Sequence, residues 1–339
     1  MVEQNKMNVL VTGGLGYIGS HLVSKLSSEM NVHILDNLNN SEEDTFKKIE
    51  KISSCNLNFS NIDLRDSDKV NDLVRKYSIN IVFHFAGLKS VNESFEREKD
   101  YFEINVKGTQ NLLNSLKIND DRNFFIFSSS AAVYGNPLKV PIDESHSLNP
   151  INPYGKTKKA AEAILEDFQK DTNISVACLR YFNPVGSHNT LELGDNINEE
   201  TDGLVSNLLT SIIENKKFNI YGNDYPTEDG TAIRDFIHID DLIEGHISAF
   251  DYMKNNENTF EIFNLGTGKG TTIQKFIETF KEVNSLNIKT KFCPRRKGDP
   301  ISSYADASKA YKLLGWYPQR SIEEMCRSTW EYQKKIQNL

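Results

Sequence analysis

Tyr154 and Lys158 lie four residues apart, so a helix would carry both on one face. An ammonium beside a phenol stabilises the phenolate, and the pair predicts a tyrosine of lowered pKa, usable as a base near neutral pH. The spacing is common by chance and gains weight only from its company. Ser130 closes the run Phe127-Ser128-Ser129-Ser130, 24 residues upstream, where it would stand at a strand end. In doubly wound sheets, ligands sit beyond the carboxyl ends of the strands.

A second set of residues suits a dinucleotide. Thr12-Gly13-Gly14-Leu15-Gly16-Tyr17-Ile18-Gly19 directly follows the apolar run Val9-Leu10-Val11. Glycines let a backbone turn tightly against a pyrophosphate, while the following helix offers free N–H groups and its positive end. Asp36 ends the next apolar run, 20 residues after Gly16, where a carboxylate accepts hydrogen bonds from a ribose diol. Asn37-Leu38-Asn39-Asn40 contains no cation for a 2′-phosphate, which favours NAD over NADP.

These residues need a scaffold, and the hydrophobic pattern supplies one. Short apolar runs (Val9–Val11, His33–Leu35, Ile81–Phe83, Phe124–Phe127, Val176–Leu179) alternate with longer amphipathic stretches. That alternation predicts buried parallel strands joined by right-handed helical crossovers: an α/β fold with a Rossmann-type doubly wound parallel sheet. After residue 186 the rhythm changes to polar, turn-rich chain with a helix near 203–215, which predicts a smaller α/β substrate-binding lobe. The expected division is 1–186 for the NAD-binding domain and 187–339 for the lobe, with segments such as 233–266 returning to the first domain.

With 339 residues the chain can bury a sizeable core unaided. A net charge of −8 argues against a nucleic-acid partner, since binding a polyanion needs an excess of Lys and Arg. No apolar run is long enough to span a bilayer, and the first one enters the glycine cluster too soon for a secretory signal. The four cysteines are far apart with no C-x-x-C pair, which supports neither a metal site nor a redox motif and suggests reduced thiols in a cytoplasmic protein.

Together these segments resemble the UDP-glucose (UDP-galactose) 4-epimerases of the extended short-chain dehydrogenase/reductase family. The resemblance runs through essentially the whole chain. It is carried by Thr12–Ser20, Asp36-Asn37, Phe85–Lys89, Asn105-Val106, Ser128–Gly135, Tyr154–Lys158, Arg180–Gly186, Tyr221–Asp235 and Arg295–Asp299. Gly222–Thr231 is its most specific stretch.

The resemblance implies an NAD cofactor, a UDP-sugar substrate and a homodimer formed through helices of the cofactor domain. It places Gly13, Gly16, Tyr17 and Ile18 at the pyrophosphate, and Asp36, Asn37 and Asn40 at the adenosine ribose. Asp63 and Leu64 would meet the adenine; Phe85, Ala86, Gly87, Lys89, Asn105 and Phe182 would surround the nicotinamide half. Asn183, Asn207, Leu208, Tyr221, Arg234, Arg296 and Asp299 would grip the UDP, with Lys89, Ser130 and Tyr154 near the sugar; Arg295 reads as a surface charge. Tyr154 would act as base, Ser130 would relay the proton, and Lys158 would tune Tyr154 and bind the nicotinamide ribose.

Ser303, four residues after Asp299, stands where some family members carry a bulky tyrosine. A small residue there implies room for a 2-acetamido group, and so activity on UDP-GlcNAc and UDP-GalNAc as well. A sugar-nucleotide dehydratase would need an acid after the strand-end serine, where this chain has Ala131-Ala132. A UDP-glucuronate-processing enzyme and a non-catalytic NAD-binding scaffold protein are the remaining alternatives.

Overall fold

The protein is described from a computed structural model covering residues 7–116, 123–197, 203–296 and 299–339. Six strands form in the first half of the chain: β1 (Asn8–Thr12), β2 (Asn31–Asp36), β3 (Asn58–Asn61), β4 (Ile81–His84), β5 (Phe124–Ser130) and β6 (Ser175–Tyr181). Seven shorter or later strands follow: β7 (Asn183–Val185), β8 (Phe218–Tyr221), β9 (Ile233–His238), β10 (Phe260–Leu265), β11 (Gly270–Thr272), β12 (Thr290–Cys293) and β13 (Ser302–Ser303). The central seven-stranded sheet runs β10-β6-β5-β4-β1-β2-β3, parallel throughout. Its inner strands are almost wholly buried and mostly apolar, as expected of a sheet covered on both faces.

Helices α1 (Tyr17–Leu26), α2 (Glu43–Ser53), α3 (Ser67–Lys76), α4 (Val91–Glu96), α5 (Glu98–Phe102), α6 (Gly108–Leu116) and α7 (Pro153–Lys170) belong to the first half. A π-helical turn, Glu103–Lys107, joins α5 to α6. Helices α8 (Leu204–Ile213), α9 (Ile239–Asn255), α10 (Ile273–Val283), α11 (Ser308–Leu314) and α12 (Ile322–Gln337) complete the chain. Two apolar clusters cover the two faces of the central sheet. A third, with Phe236, Phe276, Phe280 and Trp330, forms the core of the second lobe.

The second lobe is stitched to the first by chain that passes between them. Strand β9 carries the lobe's small sheet, pairing with β7, β11 and β13, while α9, which follows it directly, packs on β5 and β6. Strand β10 lies in the central sheet. Strand β3 was not visible in the apolar pattern because its sequence, Asn58-Phe59-Ser60-Asn61, is that of a half-exposed edge.

Candidate active site

The glycine turn leaves β1 and enters α1 with backbone packed on backbone. Gly13 has φ +66°, and a Cβ there would lie 2.7 Å from the Ala86 nitrogen. A Cβ at Gly19 would lie 2.2 Å from the Gly13 carbonyl oxygen. Both positions exclude a side chain, the first by conformation as well as space. Gly16 caps α1 with no side-chain hydrogen bond, so the N–H groups of the first turn, from Tyr17 and Ile18 on, face the turn without a protein acceptor from a cap. That geometry fits a diphosphate.

Asp36, at the end of β2, is buried and accepts from Leu15 N (3.1 Å), Leu38 N (3.0 Å) and Ser41 Oγ (2.8 Å). It therefore fixes the glycine turn as well as the loop where a ribose would sit. Asn37 and Asn40 are exposed on that loop. Asn37 donates to Asp63 (3.0 Å), and the Arg65 fork on Asp63 holds its carboxyl well below the usual range. Leu64 is buried against Gly108.

Phe85, Ala86 and Gly87 line the next loop half-buried, beside the Gly13 turn. Lys89 is exposed and pairs with Asp195 at 3.6 Å. Phe182 is buried in the core. Asn105 differs from the expectation of a cofactor contact: both its amide protons are spent on the protein, on Leu88 O (3.0 Å) and Thr157 Oγ1 (3.1 Å), while its oxygen accepts from Leu88 N (2.8 Å). It clamps the loop that faces the cofactor rather than offering its own amide.

Helix α7 starts with an Asn152 cap, Oδ1 accepting from Gly155 N at 2.8 Å, and Pro153 at the first position. This places Tyr154 in the first turn, half-buried, near Ser130 at the carboxyl end of β5. Ser130 Oγ accepts from Ala132 N at 3.2 Å. Lys158, one turn on, is 5% exposed; its ammonium donates to the Ser128 carbonyl at 2.7 Å and lies 5.9 Å from the Tyr154 ring centre.

The expected lowering of the Tyr154 pKa by Lys158 is not what the isolated protein shows. Burial pushes the phenol up, and the Ser130 hydroxyl opposes it. Burial also brings the Lys158 ammonium down to about 8, with Glu162 opposing. Glu162 lies one further turn along α7 and is itself held by Ser129 and by a two-point bond to Arg180 (2.9 and 2.6 Å), fully buried. That ion pair was not anticipated.

The second lobe pairs several of its expected residues. Arg234 on β9 donates to Pro300 O (2.9 Å) and pairs with Asp299 at 3.3 Å. Ser303 on β13 lies opposite Arg234 in parallel register and is half-buried. Arg296 stacks over the Tyr221 ring at 4.0 Å, and Arg295 over Tyr225 at 4.1 Å while it binds Asp224. Asn183 donates to Asp235 O at 2.9 Å, and Asn207 is half-buried on α8. Leu208 is a correction: it is 0% exposed inside the lobe's core and has no surface to offer a nucleotide. Successive helix positions face different ways, so Leu208 lies in the core although its neighbour Asn207 is half-buried.

Asp235 was also missed. Its buried carboxylate accepts from Thr267 N (2.9 Å), Thr267 Oγ1 (2.6 Å), Gly268 N (3.0 Å) and Ala305 N (3.0 Å). It ties β9 to the chain beyond β10 and to the segment that carries Ser303. The Gly222–Thr231 loop is likewise self-bonded, with Asp229 accepting from Thr231 N (2.9 Å) and from the Thr272 hydroxyl.

Comparison with known proteins points the same way. A family model described as GDP-mannose 4,6 dehydratase matches residues 10–329. The bifunctional UDP-glucose 4-epimerase and UDP-xylose 4-epimerase 1 of Pisum sativum is 41% identical, covering 97% of this chain and 96% of the relative. The crystal structure of UDP-glucose-4-epimerase from Stenotrophomonas maltophila, with bound NAD and formylated UDP-arabinopyranose, superposes with a TM-score of 0.94 at 36% identity, covering 98% of this chain and 99% of that one. The UDP-Glc/GlcNAc 4-epimerase of Campylobacter jejuni superposes with a TM-score of 0.84 at 33% identity, covering 97% and 99%.

Proposed function

The chain belongs to the UDP-glucose 4-epimerase family of extended short-chain dehydrogenases/reductases, and from that premise we propose how its own residues invert C4 of a UDP-hexose. It is an NAD-dependent epimerase. NAD, when bound, supplies the redox chemistry by accepting the C4 hydride and giving it back. Tyr154 takes the proton of the sugar 4-hydroxyl, Ser130 hydrogen-bonds the same oxygen and relays the proton, and Lys158 holds positive charge beside both. Arg234 and Arg296 hold the UDP diphosphate while the 4-keto sugar turns its other face to the cofactor. Guanidinium forks suit that task because they bind phosphate at two points.

The observation that carries this reading is the buried Lys158 ammonium, anchored on the Ser128 carbonyl one turn below Tyr154, at the carboxyl end of the sheet where Ser130 closes β5. A dehydratase reading has no support from the residues after Ser130, which are two alanines. Half-buried Ser303 favours acceptance of N-acetylated UDP-hexoses too, and one structural neighbour is a UDP-Glc/GlcNAc epimerase. A coupled assay with UDP-glucose, UDP-galactose and their two N-acetyl counterparts tests the whole reading. Turnover of the plain pair is expected in both directions; none with any of the four, in protein that retains NAD, would overturn it.

The homodimer is part of the same proposal. Val91, Phe95 and Phe102 are exposed on α4 and α5, an apolar patch of the kind a second copy covers. Glutamate at Phe95 and Phe102 should halve the mass measured by light scattering. The four cysteines are free, in keeping with a reducing cytoplasm. Among the described residues no helix is long and apolar enough to cross a membrane.

A further inference from the structure

His84, the last residue of β4, is 1% exposed in the middle of a hydrogen-bonded chain whose directions can all be assigned. Thr109 Oγ1 donates to Asn105 O at 2.7 Å, so it accepts from His84 Nε2 at 2.8 Å. The imidazole therefore carries its proton on Nε2, leaving Nδ1 to accept from Thr12 Oγ1 at 2.6 Å. Thr12 Oγ1 in turn accepts from Ala86 N at 3.3 Å. Burial holds the ring neutral, bringing its pKa down to about 3 with a smaller contribution from Lys158.

The chain continues through the side chain of Asn105, in the π-helical turn. That amide clamps Leu88 by both its N–H and its carbonyl, and donates to Thr157 Oγ1, which donates to the carbonyl of Tyr154 at 2.7 Å. One buried path thus runs from the end of β1 through the Ala86–Leu88 loop to the first turn of α7. A π-helical turn at this point is in keeping with its tendency to mark functional sites.

We infer that His84 and Asn105 are positioning residues. Joined through Thr109, they hold the Ala86–Leu88 loop and the Tyr154 turn at one fixed spacing, so that the cofactor-facing loop and the base keep register. The inference rests on the epimerase reading above, since it assigns that spacing to the reaction. No member of the path needs to touch substrate. Each conveys position to a group that does, and a buried network with every polar atom satisfied is rigid.

The test uses two of the path's three threonines, Thr109 and Thr157, whose hydroxyls can be deleted without changing shape. In purified protein carrying its NAD, Thr109→Val should lower kcat for UDP-galactose by about tenfold, with KM within about twofold, because the lost interaction acts on geometry rather than on uniform binding. Thr109→Ser, which keeps the hydroxyl, should restore the wild-type rate. Hydrogen exchange of the segment 84–89 should quicken in Thr109→Val and not in Thr109→Ser, a readout independent of turnover. Thr157→Val breaks the path at its other end, and the double variant should cost less than the product of the two single losses, because both act through one network. Independent, multiplicative losses, or wild-type kcat and exchange in Thr109→Val, would overturn the inference. If Thr109→Val fails to fold, Thr157→Val alone decides: an unchanged kcat rejects the path. A wild-type protein without epimerase activity would instead overturn the functional reading.

Discussion

Around the glycine turn the close contacts are backbone on backbone: Gly13 against Ala86, Gly19 against Gly13, and Phe85 and Ala86 N–H groups on the Thr12 carbonyl at 3.0 and 3.1 Å. Around Tyr221 and Arg234 they are long side chains: a guanidinium stacked on each of Tyr221 and Tyr225, and Arg234 divided between a loop carbonyl and the half-exposed carboxylate of Asp299. A backbone cradle has one shape and cannot be retuned by rotamer changes. Stacked arginines and loop carboxylates can rearrange as a ligand enters. Under the proposed assignment, the half given to the cofactor is suited to keep one ligand in place, and the half given to the UDP to accept and release many molecules.

The sharpest way to break this contrast is to remove chemistry from the rigid half without altering its shape. Tyr154→Phe should cut turnover by roughly 10²–10⁴-fold, the usual worth of a positioned acid–base group. Bound NAD should stay at the wild-type ratio, because the cradle is untouched; absorbance of the purified protein measures it. Loss of NAD along with activity would mean that the tyrosine holds the cofactor and that the backbone alone does not.

A change of volume in the adaptable half should redirect the enzyme. Ser303→Tyr places a large ring in register with Arg234, where space rather than charge sets acceptance. The ratio of N-acetylated to plain turnover should fall by roughly 100-fold or more, with UDP-galactose spared. If both rates survive equally, the cavity is closed elsewhere. Arg296→Ala, by contrast, removes a cation that stacks on the Tyr221 ring. KM for the UDP-sugar should rise by about 10–100-fold, the worth of a charged hydrogen-bonding pair, with kcat nearly unchanged. A fall in kcat alone would place Arg296 in the rigid half.

The two halves also differed in what could be read from sequence. The glycine turn, Asp36, Ser130 and the Tyr154–Lys158 pair are local patterns, each set by spacing within one strand–turn–helix unit. Phe260–Leu265 was recognisable as a strand by its apolar run, although its place beside β6 depends on the whole topology. What stayed hidden was polar chemistry inside apolar segments. His84 ends a run that reads as plain buried strand, and its partners Thr12 and Thr109 lie 72 and 25 residues away. Asp235 and Glu162 are carboxylates whose composition suggests surface, yet each is buried because distant donors converge on it. Leu208 erred in the opposite sense, since nothing local says which side of α8 faces the core.

The smallest expected effect concerns the charge at the floor of the rigid half. The Lys158 ammonium lies by the rings of Tyr154 on its own helix and Phe127 from β5, donates to the Ser128 carbonyl, and faces Glu162 one turn on, His84 from β4 and Cys178 from β6 electrostatically. Burial has brought its pKa from 10.5 to about 8, and Glu162 keeps it from falling further. A depressed lysine pKa means that the ammonium is present below pH 8 and lost above it, so activity that needs this cation should decline on the alkaline side near that value. Protein stability should move the other way. Between pH 8 and 10.5 the unfolded chain binds the proton that the folded chain has released, and the cost of burying the cation is relieved as pH rises. Glu162→Gln removes the opposing charge, and the alkaline limb of kcat should shift to lower pH by about one unit or less. Arg180→Lys keeps a cation beside Glu162 but loses its two-point bond; it should lower the melting temperature and leave the limb in place. If both variants move the limb equally, Glu162 acts on Lys158 through the packing of α7 and not through its charge.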